Sequence, residues 1–98
     1  MKNIISDLNK TFDSRVKLGI MAILSVNDEV DFNNLKELLE ITDGNLASHL
    51  KALEKSEYIE VHKQFVGRKP QTTYCLTPLG KNSFQEHVDA LGKLISST

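Results

Sequence analysis

Apolar positions along this chain keep two rhythms, and the change from one to the other divides it. Up to about Leu53 they recur at steps of three and four, which lines one face of a helix. Val16, Ile20, Ile23 and Leu24 form a first stripe reaching about Val26, with Asp13 or Ser14 placed to cap it. Leu35, Leu38, Leu39 and Ile41 form a second, with Asn33 or Asn34 as cap and Asn34–Glu37 at capping-box spacing. Leu46, Leu50 and Leu53 form a third, behind Thr42 as N-cap. Between the first two, Val30 and Phe32 alternate in a minimal strand. Gly19 sits inside the first stripe, where glycine weakens a helix by about 1 kcal/mol relative to alanine. A close helix–helix contact would account for it.

After Tyr58 the period becomes two. Ile59, Val61, Lys63 and Phe65 share one side of a strand. Gly67-Arg68-Lys69-Pro70 is a turn, with Pro70 suited to the loop rather than the ladder. Gln71 to Thr77, rich in Thr, Tyr and Cys, resumes as the second strand of a hairpin. Thr77-Pro78 then opens a last helix as N-cap and first helical residue. Its apolar positions are Phe84, Val88, Leu91 and Ile95, widened by Leu94 and weakened by Gly92. Residues 1–10, carrying Ile4, Ile5 and Leu8, fit either a short docking helix or a frayed terminus.

The elements therefore predict an α+β fold, mostly α. The 98 residues suit a single domain, 1–98, whose own core gives modest stability that association would supplement. No repeat, linker or low-complexity segment divides it. No secretory pattern and no membrane-spanning run is present in the sequence. Cys75 is the only cysteine, which excludes an intrachain disulfide and suits a reducing cytoplasm.

Charge changes the picture by its distribution. The formal net charge of −1 gives no global basic field. Yet residues 28–40 hold five acids against Lys36 alone, while residues 61–85 hold Lys63, Arg68, Lys69 and Lys81 and no acid. One end of the domain is thus basic. The third helix adds Asn45, Ser48, Lys51 and Lys55 on the face opposite its leucines. Its first turn, Asp43-Gly44-Asn45, offers free N–H groups and a positive dipole end suited to a phosphate.

A polar-faced helix followed directly by a basic hairpin is the winged-helix arrangement. The chain resembles small one-domain MarR- and ArsR-like transcriptional regulators over roughly residues 8–95. The resemblance is carried by residues 14–20 (SRVKLGI), 30–32 (VDF), 42–54 (TDGNLASHLKALE), 58–61 (YIEV), 67–70 (GRKP) and 74–80 (YCLTPLG). It implies sequence-specific binding of double-stranded DNA by a homodimer. The third helix would enter the major groove, and the wing would follow the backbone or minor groove. By position, Asn45 and Ser48 would meet base edges beside Lys51. Thr42 and Asn45 would hold phosphates at the helix start, and Arg68 and Lys69 would lie on the wing. Lys55 and Lys63 complete the basic set. An amide or hydroxyl can read base edges, and Lys and Arg displace counterions.

Other readings compete. Arg68-Lys69 would also serve as a solvated loop, and Asn45 and Ser48 as plain surface. A winged helix that binds protein instead of DNA would use the same core, and the near-neutral charge favours it. His49 borders the leucine seam and suits packing better than base reading. His62, Cys75, Glu86, His87 and Asp89 are the candidate metal ligands. Cys75 has no second thiol nearby and His87 and Asp89 do not share a helix face, so neither metal nor cofactor is expected. Cys75 would then be a small strand residue. Without a nucleophile–base pair, a phosphate-binding glycine loop or paired carboxylates, an enzyme is not expected either. The last helix outruns a minimal winged helix. Its stripe, with Ile4, Ile5 and Leu8, would form a dimer interface that sets two recognition helices about 34 Å apart, the alternative being a last helix that folds back on its own core.

Overall fold

A computed structural model describes residues 3–97; residues 1, 2 and 98, the ends of the expected domain, lie outside the described residues. A single 3₁₀ turn at Lys10–Asp13 leads into α1 (Arg15–Ser25), β1 (Val30–Asp31), α2 (Phe32–Leu39) and α3 (Asp43–Lys55). A hairpin of β2 (Ile59–Val66) and β3 (Lys69–Leu76) follows, then α4 (Pro78–Ser97). The architecture is α+β and mostly helical, as the pattern predicts. Among the described residues no helix is long and apolar enough to cross a membrane.

The three-helix core forms because each stripe has somewhere to go. Ile20, Met21 and Leu24 of α1, Leu35 of α2 and Leu46, Leu50 and Leu53 of α3 are all buried. The sheet closes one side with Val30, Ile59 and Tyr74. Ser14 caps α1 by accepting from the Lys17 N–H at 3.2 Å. A Cβ on Gly19 would stand 2.8 Å from Leu39 Cδ2, so the glycine does allow α1 and α2 to approach closely.

The sheet order is β1-β3-β2, antiparallel throughout, with Val30 opposite Tyr74 and Ile59 opposite Leu76. β1 is only two residues long. Beyond Thr73 the hairpin therefore continues as a two-stranded arm, the wing. Its loop is Gly67-Arg68, with φ of 67° at Gly67, the position at which a type II′ hairpin turn favours glycine.

Several expectations are corrected. The N-terminal segment forms turns rather than a helix through Leu8, and Ile4 and Ile5 are exposed. The residue that docks is Phe12, 4% exposed, whose ring meets those of Tyr58, Phe84 and His87. α2 begins at Phe32 with Asp31 as N-cap, so Asn33 and Asn34 lie inside the helix and form no cap. Strand pairing of Val30 and Asp31 brings the chain straight into the helix, leaving no room for a later start. Leu38 points away from the core and is 62% exposed. Pro70 belongs to β3, opposite Phe65. It is tolerated there because β1 does not extend that far, so its missing N–H faces an open edge.

Candidate nucleic-acid interface

The turn between α2 and α3 sets the exposed face of α3. Glu40 ends α2 with φ of 52°, and Thr42 starts α3. Thr42 Oγ1 accepts from the Asn45 N–H at 3.2 Å, which fixes the first turn. Burial of Leu46, Leu50 and Leu53 against the core then rotates Asn45, Ser48, Lys51 and Lys55 outward, and all four are exposed. Gly44 and Ala47 lie among them, also exposed, and keep the start of this face low. The sequence pattern overlooks these two, although small residues between polar ones on an outward face are a legible signal of close approach by a partner surface.

Asp43 stands in the same first turn, where its charge would repel a phosphate. Lys36 of α2 reaches across the turn and pairs with it, Nζ to Oδ1, at 2.7 Å. The pair ties the two helices of the helix-turn-helix and offsets the acid. Lys36 is half-exposed and Asp43 largely exposed, so the pair's stabilising contribution is below about 1 kcal/mol. His49 is partly buried at the edge of the seam. Burial and, secondarily, the Lys17 charge lower its pKa, which favours the neutral imidazole.

The wing contributes the other cations. Lys63 is on β2, Arg68 in the loop and Lys69 at the start of β3, and all three are exposed. α3 packs on β2, so helix and wing form one connected piece of the molecule. Phe65 and Val66, 74% and 59% exposed, add an apolar tip beside the basic pair. The eight residues expected at a DNA surface thus fall into a helix group (Thr42, Asn45, Ser48, Lys51, Lys55) and a wing group (Lys63, Arg68, Lys69), and every one is solvent-accessible. The net charge of −1 hides this grouping because the acids of residues 28–40 lie on other elements.

A three-helix core with a helix-turn-helix, a short β1 and a β-hairpin wing defines a winged-helix protein. The chain belongs to the winged helix DNA-binding domain family, whose model matches residues 16–95. It is 37% identical over 79 residues to an uncharacterized protein of Methanocaldococcus jannaschii, covering 81% of this chain and 86% of that one. The structure of a transcriptional regulator homologue from Pyrococcus horikoshii OT3 superposes with a TM-score of 0.85 at 26% identity, covering 96% of this chain and 91% of that one. YusO of Bacillus subtilis shares the fold, with a TM-score of 0.80 at 15% identity over 96% of this chain and 69% of its own. Membership of a DNA-binding family agrees with the non-enzymatic reading of the sequence.

Proposed function

We propose that this protein is a cytoplasmic transcriptional regulator of the MarR/ArsR-like kind that binds specific double-stranded DNA sites as a homodimer. The observation that carries the reading is the sorting of α3: its three leucines are buried while Asn45, Ser48, Lys51 and Lys55 are exposed on the opposite side. In this reading α3 lies in the major groove, with Asn45 and Ser48 at base edges and Lys51 and Lys55 at flanking phosphates. Thr42 and Asn45 hold a phosphate at the helix start, where N–H groups and the helix dipole favour an anion. Lys63, Arg68 and Lys69 run along the backbone or minor groove.

The dimer is supported by α4. Val88 and Leu91, each 43% exposed, lie on the part of the helix that leaves the core, with Ile95 one turn further at 70%. From Leu91 to Ser96 no residue is buried. A helix of 20 residues with an apolar face in water suits a twofold contact with its own copy, and the exposed Ile4 and Ile5 would extend it. Selection of bound sites from random duplexes tests the reading. A roughly palindromic motif with half-sites about one helical turn apart is expected. Failure to enrich any motif would refute sequence-specific binding.

A further inference from the structure

We propose that Glu60, His62 and Cys75, brought together on the solvent side of the hairpin, form a binding site for one divalent cation of the zinc class. Strand pairing sets Glu60 opposite Cys75, and His62 lies two residues from Glu60, so all three project from one face of the sheet. The other face carries Ile59 and Tyr74 into the core. One ligand atom from each residue, a carboxylate oxygen, an imidazole nitrogen and the sulfur, lies within 4.8 Å of the other two.

The distances favour a metal over simple pairing. His62 Nε2 faces both neighbours at once, 3.6 Å from Cys75 Sγ and 3.5 Å from Glu60 Oε2. Tetrahedral zinc, with its usual bond lengths to sulfur, nitrogen and oxygen, separates S and N by about 3.6 Å and N and O by about 3.4 Å. Two edges of the coordination polyhedron are therefore already in place. The third, sulfur to oxygen, closes by a swing of the exposed Glu60 side chain, while His62 and Cys75 are held by the backbone ladder. Thr73 Oγ1 also donates to the His62 carbonyl at 3.5 Å.

The surroundings suit a cation as well. The carboxylates of Glu60 and Glu29 both act electrostatically on Cys75. Those same carboxylates create a negative potential that attracts a dication. On binding, the Cys75 S–H proton passes to solvent as the sulfur–metal bond forms, His62 donates its Nε2 lone pair, and Glu60 offers one oxygen. A mixed S, N, O donor set selects zinc-class ions over magnesium or calcium. Three protein ligands leave a fourth position for water or an exchangeable group. The site shares no residue with the DNA surface proposed above and stands or falls separately. A sequence search for a second thiol or for ligands on one helix face misses it, because the ligands meet only across the hairpin register.

Cobalt(II) titration of the full chain under reducing, anaerobic conditions tests the site. The expected result is one equivalent bound, with a thiolate-to-cobalt charge-transfer band, visible bands of a tetrahedral ion, and displacement by zinc. Cys75→Ser should abolish the charge-transfer band. His62→Gln and Glu60→Gln should each weaken binding by about tenfold or more, with unchanged circular dichroism. Zinc should also raise the melting midpoint of the wild-type chain more than that of His62→Gln. The proposal is overturned if saturating cobalt gives no such band, if the band survives in Cys75→Ser, or if both Gln variants bind as tightly as wild type.

Discussion

Single side chains have separable duties here, and substitutions should report them separately. Asn45 and Ser48 are exposed and off the leucine seam, so replacing either by alanine should leave the fold intact. Each should lose about 1–3 kcal/mol of discrimination at one base position, measured as affinity for the selected site against its single-base variants. Unchanged preference in both would move base reading to another surface. Phe12 is a packing residue by contrast, set among Tyr58, Phe84 and His87. Phe12→Ala should cost about 3–5 kcal/mol in urea denaturation. Gly80 has a different constraint: a Cβ there would fall 1.9 Å from the Tyr58 carbonyl oxygen. That contact is backbone, so Gly80→Ala should destabilise by about 1–3 kcal/mol or more by the same measurement. A neutral result would mean that α4 can shift off the turn between α3 and β2 without loss.

At the scale of elements, the proposed complex divides the work between the charge of the wing and the readout of α3. Replacing Arg68 and Lys69 together by alanine should weaken binding to all duplexes alike and flatten the slope of log affinity against log salt by about one to two units per protomer. An unchanged slope would remove the wing from the interface. Much of this was legible beforehand. The leucine period of α3, its Thr42 cap and the switch to alternation after Tyr58 follow from local preferences that the tertiary structure keeps. What was not legible depended on distant partners. Phe12 lies in no periodic run, and its burial is decided by α4 and the turn between α3 and β2. The start of α2 is set by pairing of Val30 and Asp31 with β3, which overrides the asparagines that look like caps. The turns at Glu40 and Glu57 adopt positive φ without a glycine to announce them. Glu60, His62 and Cys75 converge only once the hairpin register is known. The exposed residues of the proposed DNA surface could be named by their place on α3 and the wing, since exposure there follows directly from which face is apolar.

The whole molecule is elongated, 57 Å by 25 Å by 21 Å, and its charge is arranged rather than abundant. A protein of net charge −1 can bind DNA if its cations are gathered locally and most of its acids lie on other elements. Dimerisation would double that surface, and Leu91→Glu should shift sedimentation equilibrium toward monomer while the isolated domain stays folded. A wild-type chain that sediments as a monomer at micromolar concentration, or a Leu91→Glu variant that associates unchanged, would contradict the α4 interface. The central claim is that α3 and the wing together bind specific duplex DNA. Its most direct test is a salt series of binding isotherms on the selected duplex and on a scrambled duplex of equal length. The account predicts affinity that falls with salt on both, with the selected site preferred by about a thousandfold or more. Equal, salt-insensitive affinities, together with recovery of the protein in a soluble complex that nuclease leaves intact, would contradict it and identify the winged helix as a protein-binding module.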